Sequence, residues 1–274
     1  MQTIREPAVA GTFYPGQAQQ LAENVNALLG AVDARNFGAA PKAIIVPHAG
    51  YIYSGPTAAV AYASLTLSQA SIRRVVMLGP VHRMPVRGLA LPNVDAFTTP
   101  LGTVELDRDA IAAISKLPQI VISEPAHRWE HSLEVQLPFL QTVLDDFKLV
   151  PLAVGAATPH EVAEVLEKLW GGPETLIVIS SDLSHFRDYH AAREIDGETV
   201  QHILSLDKTL THEQACGGTP INGLLLAAKR HQLQPQLLDL CNSGDTAGDK
   251  KRVVGYAAIA FCAERNKLSE GFNY

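Results

Sequence analysis

Short apolar runs, rich in β-branched residues, recur along the chain. Runs that are apolar on both faces are typical of strands buried in a largely parallel sheet. They predict strands at residues 43–46, 75–78, 149–154, 176–179 and 253–261, with a further strand at 237–240. Residues 89–91 and 103–106 predict additional, antiparallel strands.

Helical patterns fall between these runs and predict helices at residues 56–65, 107–117, 132–144, 159–169, 191–204 and 221–231. Within 132–144, leucines repeat at the helical period, and Pro138 interrupts them, which predicts a kink. Strands that alternate with helices favour the α/β class. Because no repeat or linker divides the chain, we expect one domain over residues 1–274, with a mixed, largely parallel sheet flanked by helices.

Three histidines come shortly after predicted strands. His48, His82 and His185 each lie within six residues of the end of an apolar run. The carboxyl ends of parallel strands meet at one edge of a sheet, where ligands bind in folds of this class. A lone loop histidine is most often only solvated, but imidazole is also the commonest metal ligand. Three histidines at equivalent positions therefore predict a metal site.

The loop after residues 237–240 offers candidates for a further ligand. Non-haem iron sites typically combine two histidines with one carboxylate. Asp245 would supply that carboxylate, whereas Cys241 would supply a softer thiolate. Asp182, just before His185, either caps its own turn or orients a ligand histidine.

A second motif competes with this site. His127, Glu130 and His131 match the H-x-x-E-H pattern of inverted zinc proteases, in which both histidines bind zinc and the glutamate is the base. Pro125 places His127 at or before the start of a helix, so the two histidines need not share a helical face. In the alternative interpretation, Glu130 and His131 line the pocket of the strand-end histidines.

Composition narrows the classes of function. The chain has 274 residues and a formal net charge of −6, which argues against non-specific binding to nucleic acid. Its three cysteines form no C-x-x-C pair and do not suggest a disulfide framework. The N-terminal residues lack the apolar core of a signal peptide, and no run is long enough to span a bilayer. We expect a cytoplasmic protein.

Taken together, the motifs resemble those of the Memo family, which includes the B proteins of the AmmeMemoRadiSam system. The resemblance runs nearly end to end. Its motifs are REPAVAGTFYP (5–15), PHAGYIYSG (47–55), LGPVH (78–82), EHSLEVQLPF (130–139), SSDLSH (180–185), NSGDT (242–246) and GYAA (255–258).

The resemblance implies a fold shared with class III extradiol dioxygenases, which are iron enzymes that cleave catechol rings. By motif, His48 and His82 are implied to be metal ligands. His185 is implied to be the acid–base group or an additional ligand, with Asp182 beside it.

In the animal members a cysteine completes the metal site. An ungapped reading places Thr246 at that position, and leaves Asp245 as the substitute ligand. Without a thiolate, Fe(II) is favoured over copper, with zinc as a further alternative. The resemblance also implies a radical SAM partner protein and a small-molecule substrate that the sequence does not identify.

Three hypotheses of function follow. The first is a metal-dependent oxidoreductase of the non-haem iron type, with His185, Asp182, His131 and Glu130 as catalytic residues. The second is a binding or scaffold protein with a vestigial metal pocket. The third is a zinc hydrolase built on the H-x-x-E-H motif.

Overall fold

The computed structural model describes residues 3–33, 38–207 and 209–263. Within these residues the strands are β1 (Ile4–Arg5), β2 (Ala43–Val46), β3 (Arg74–Pro80), β4 (Leu89–Leu91), β5 (Ala96–Thr99), β6 (Gly102–Glu105), β7 (Ile120–Ile122), β8 (Lys148–Val154), β9 (Thr175–Ser180), β10 (His185–Arg187), β11 (Leu233–Asn242) and β12 (Val253–Ala263). The helices are α1 (Ala18–Gly30), α2 (Tyr51–Ala63), α3 (Arg108–Ile114), α4 (Glu124–Arg128), α5 (Leu137–Val143), α6 (Pro159–Leu169), α7 (Tyr189–Ser205) and α8 (Gly218–Arg230). Short 3-10 helices lie at Ser64–Leu67, Glu134–Gln136 and Ser243–Asp245.

A large mixed sheet forms the centre of the fold. Four parallel strands lie side by side in the order β2-β9-β3-β8. β12 pairs antiparallel with β2 on one side, and β4 pairs antiparallel with β8 on the other. β10 and β11 pair with β12, and β7 pairs with β4. The predicted α/β class, with a mixed sheet flanked by helices, is confirmed.

The parallel strands are apolar on both faces because each face packs in a separate core. In β2, Ile44 and Val46 pack in one core, and Ala43 and Ile45 pack in the other. β3 and β9 divide their side chains between the same two cores. Successive residues of a strand point to opposite faces, so a strand covered on both sides must be apolar throughout.

The register of these strands positions their loops. Val46 of β2 lies beside Ser180 of β9, and Leu78 of β3 lies beside Ile179. The three strands therefore end at nearly the same level. The loops that follow β2, β3 and β9 leave the sheet along one edge, as expected for a binding site in this class of fold.

The segment predicted as one kinked helix at 132–144 differs in detail. A 3-10 helix at Glu134–Gln136 leads directly into α5, and Pro138 lies in the first turn of α5. A proline is tolerated there because the first N–H groups of a helix have no intrahelical partner. Pro138 thus helps to begin a helix, where the sequence predicted a kink.

The sequence predicted additional antiparallel strands at residues 89–91 and 103–106, which correspond to β4 and β6. These two strands belong to different sheets. β4 joins the central sheet, antiparallel to β8 and parallel to β7. β6 pairs antiparallel with β5 in a separate three-stranded sheet, in which β1 forms the other edge. No helix in the described part of the chain combines the length and the apolar character that crossing a bilayer requires.

Candidate metal centre

Three histidine side chains converge at the edge of the sheet where β2 and β3 end. One ring nitrogen from each of His48, His82 and His131 lies within 4.8 Å of the others. The ring centroids are 5.2 Å apart for His48 and His82, and 4.6 Å apart for His82 and His131. Such a group of neutral imidazoles could hold a divalent metal ion.

The hydrogen bonds around His48 define its tautomer. Nδ1 of His48 lies 2.9 Å from the hydroxyl oxygen of Ser180. That hydroxyl donates its one proton to the carbonyl of Ser132, and it accepts a bond from the amide nitrogen of Gln136. Ser180 can therefore only accept from His48, so Nδ1 carries the proton. Nε2 is left with the lone pair that a metal requires.

Glu130 defines the orientation of His82. One carboxylate oxygen accepts a bond from Nδ1 of His82 at 2.9 Å, and the other accepts from the backbone N–H of His82 at 2.6 Å. The backbone N–H groups of His131 and Ser132 also donate to this carboxylate. Burial by itself would raise the pKa of Glu130, but these bonds outweigh it and lower the pKa to about 2. An ionised Glu130 holds the proton on Nδ1 of His82 and leaves Nε2 free.

His131 is held between Glu130 and an aromatic ring. Its Nδ1 lies 3.3 Å from the carboxylate of Glu130, and its ring centroid lies 4.8 Å from that of Phe13. Burial lowers the pKa of His131 to about 4, and His82 and Arg83 add to the shift against the opposing charge of Glu130. His131 is therefore neutral near pH 7, as a metal ligand must be.

A thiol lies beside this group, which the sequence interpretation did not expect. Sγ of Cys216 is 3.2 Å from Nε2 of His48. Burial, with the charge of Asp182, raises the pKa of Cys216 to about 12, so the thiol is protonated and donates to that nitrogen. Cys216 immediately precedes Gly217 and Gly218, which are the N-cap and the first residue of α8. A cysteine before a glycine-rich helix start carries no local signal of a ligand, so the sequence did not predict its approach to His48.

The structure does not bring Asp245 to the three histidines. Its carboxylate accepts bonds from the hydroxyl of Tyr189 at 2.5 Å and from the backbone N–H of Asn242 at 3.0 Å. The neighbouring candidates Cys241 and Thr246 also bond to residues outside the histidine group. The third side chain of the group is His131, whereas the sequence had suggested Asp245 as the further ligand.

His185 and Asp182 lie near the group without belonging to it. Asp182 accepts a 2.7 Å bond from the backbone N–H of His48, and burial raises the pKa of this carboxyl. Nδ1 of His185 lies 2.9 Å from the carbonyl of Leu183, which can only accept. Burial lowers the pKa of His48, and the charges of His131, His82 and His185 add to that shift. Of the three strand-end histidines, His48 and His82 come together, and His185 lies at their margin.

The H-x-x-E-H motif does not form a zinc-protease helix. α4 ends at Arg128, so His127 lies inside it and His131 lies beyond it. Nε2 of the buried His127 bonds to the carbonyl of Ala90 at 2.8 Å. The two histidines therefore share no helical face, and only His131 belongs to the histidine group.

Comparison with known proteins shows the family of the chain. A family model described as Memo-like protein matches residues 5–260. The chain belongs to the Memo family. A MEMO1 family protein of Aquifex aeolicus is 38% identical to it over 271 residues, which cover 94% of this chain and 99% of the relative. A MEMO1 family protein of Sulfolobus acidocaldarius is 35% identical over 285 residues, with the same two coverages.

Proposed function

We propose that this Memo-family protein is a metal-dependent oxidoreductase whose divalent metal is held by His48, His82 and His131. The observation that carries the proposal is the convergence of three ring nitrogens within 4.8 Å. For His48 and His82, a hydrogen bond at Nδ1 leaves on Nε2 the lone pair that can bind the metal. A redox-active metal held there would supply the electron transfer and Lewis acidity that the side chains lack.

We assign the proton transfers to His185. Because the carbonyl of Leu183 can only accept, Nδ1 of His185 is the donor, and Nε2 of the neutral ring carries a lone pair. A neutral imidazole with a free lone pair can act as a general base. Asp182 binds the backbone of His48 and so holds the loop that carries this ligand.

The identity of the metal follows from the donor set. Fe(II) was expected together with a carboxylate at Asp245, which lies elsewhere. Three imidazoles with a thiol beside them suit copper or zinc as well as iron. We therefore propose Fe(II) or copper as the redox metal, with zinc as the non-redox alternative and Cys216 as a fourth donor.

We also propose that the protein is located in the cytoplasm and that it acts with a radical SAM partner protein. Cys216, Cys241 and Cys262 are all free thiols, which fits a reducing compartment. The radical SAM partner rests on the family resemblance.

Metal titration tests the ligand set. Metal-free protein is loaded anaerobically with Fe(II), Cu(II) or Zn(II), and bound metal is counted after gel filtration. We expect one equivalent in the wild type, in Asp245→Asn, and in His160→Asn, which alters an exposed histidine of α6. His131→Asn should lose the metal. Retention by His131→Asn together with loss by Asp245→Asn would reverse this assignment.

The activity has its own test. With catechol as an enol-type probe, oxygen uptake should require both the redox metal and His185. Stoichiometric metal without any metal-dependent oxygen uptake would instead favour the binding or scaffold protein. The zinc hydrolase has little support, because His127 is bonded to Ala90 and lies apart from His131.

A further inference from the structure

A cavity of about 590 Å³ opens beside the histidine group. Its volume lies in the range of small-molecule binding sites. The loop after β3 forms one wall, the end of β8 forms another, and the loop before α8 forms a third. The lining residues are Pro80, Val81, His82, Arg83, Met84, Pro85, Val86, Val154, Gly155, Ala156, His212 and Cys216.

The charged groups of this cavity have one sign. Arg83 is the cation of the lining, and no aspartate or glutamate is among the described residues that line it. Within the described part of the chain, Arg83 forms no ion pair and no hydrogen bond. Arg83 directly follows His82 in the sequence and lines the same cavity, so it lies beside the metal centre. An unpaired guanidinium in a cavity without carboxylates favours an anionic occupant.

The loop beyond Arg83 supplies an apolar wall to the cavity. Met84 is 46% exposed although it is a large apolar residue, and it lines the cavity with Pro85 and Val86. Val154, at the end of β8, adds to this apolar wall. An occupant that covered these side chains would gain the free energy of burying apolar surface.

We infer that the cavity binds a small carboxylate with an apolar body, whose carboxylate pairs with Arg83 and whose body packs on Met84, Pro85 and Val86. The ligand would be the substrate of the neighbouring centre, and in that respect the inference rests on the proposed function. Arg83 serves as the specificity-determining residue, because its planar guanidinium can bind a carboxylate through two parallel hydrogen bonds.

The methionines make a direct test. The chain has three methionines, of which Met84 lines the cavity and Met77 is fully buried in β3. In protein labelled with ¹³C at the methionine methyl groups, 3-phenylpropionate should shift the Met84 signal saturably, while Met77 serves as the internal reference. The neutral probe 3-phenylpropanamide should bind about tenfold more weakly, since it lacks the charge-assisted bond.

Two variants decide the role of Arg83. Arg83→Gln should weaken 3-phenylpropionate about tenfold and leave the amide unchanged. Arg87→Gln is the matched control, because Arg87 is exposed on the same loop but does not line the cavity. Its charge instead contributes, after hydrogen bonds to Thr158, to the lowered pKa of Glu161, which lies outside the cavity. Equal affinities for the acid and the amide, equal losses in the two variants, or no saturable shift of Met84 would overturn the inference.

The titration is carried out on the full chain in its metal-free and Zn(II)-loaded forms. The metal-free form shows binding to Arg83 without any contribution from a metal ion. If metal fails to bind, the proposed function fails while the carboxylate result stands. If metal binds and Arg83→Gln has no effect, the metal site stands and this inference fails.

Discussion

Glu130 accepts a hydrogen bond from Nδ1 of His82 at 2.9 Å, and so leaves Nε2 of that ring as the nitrogen that can bind a metal. The same carboxylate accepts hydrogen bonds from the backbone N–H groups of His82, His131 and Ser132. A carboxylate that orients a metal-binding histidine in this way usually contributes strongly to metal affinity.

Glu130→Gln should therefore weaken metal binding about 10- to 100-fold. The amide is neutral, and only its oxygen can accept, so His82 and the backbone N–H groups lose part of their support. Competition against a chromophoric chelator measures the affinity. Glu124→Gln is the control, because Glu124 is an exposed residue at the start of α4. Equal affinities for the two variants would contradict this role.

Ser180→Ala should change the tautomer of His48. In the wild type, Ser180 accepts the Nδ1 proton, and Cys216 donates to Nε2. Without the hydroxyl, Nδ1 has no acceptor and the proton moves to Nε2, where it opposes metal binding. Long-range ¹H–¹⁵N spectra of the metal-free protein distinguish the two tautomers. Ser64→Ala, a buried serine that bonds to Ala61, should leave the His48 pattern unchanged.

Cys216→Ser should abolish a sulfur signature of the bound metal. Co(II) bound by the wild type should show a near-ultraviolet charge-transfer band from the thiolate. Its formation should release a proton, because the free thiol has its pKa raised to about 12. The matched control is Cys241→Ser, since the thiol of Cys241 contacts Thr57 outside the histidine group. A band that persists in Cys216→Ser would exclude this thiol as a ligand.

His127→Gln should make stability less dependent on pH. Burial lowers the pKa of His127 to about 4, so the folded chain resists a proton that the unfolded chain binds near pH 6.5. The wild type therefore loses stability as the pH falls from about 6.5 to 4, by up to about 1.4 kcal/mol per pH unit from this group. Glutamine keeps a donor for Ala90 but does not titrate.

Urea unfolding in the presence of EDTA measures this effect without a contribution from metal release. The wild type and the variant should differ in slope only below about pH 6.5. Burial raises the pKa of Asp196 to about 6, which has the opposite effect, but both chains retain that group and it cancels. Parallel slopes for the two chains would show that His127 is protonated equally in both states.

The sequence was sufficient for the framework of the site. The alternation of Ile44 and Ile45 between two cores leaves no polar position in β2, so its apolar run could be recognised as a buried strand. Parallel strands end at one edge, so the positions of His48 and His82 after such runs predicted that they would meet. Both inferences rest on local periodicity and on a general property of parallel sheets.

The sequence offered His131 as a residue lining the pocket, but its place among the grouped histidines, and the position of Cys216, required the tertiary structure. His131 follows the short helix α4 and Cys216 precedes the helix α8, so neither comes directly after a strand, and no periodicity directs either toward the sheet edge. Their positions depend on contacts with residues distant in the sequence, such as the 3.2 Å approach of Cys216 to His48 across 168 residues. Asp245 is the opposite case, because its position after a strand suggested a ligand that the structure places elsewhere. Its loop follows a strand, yet β11 lies outside β12 and its end is directed toward Tyr189. Local pattern decides which segments become strands, whereas packing between distant segments decides which loops meet.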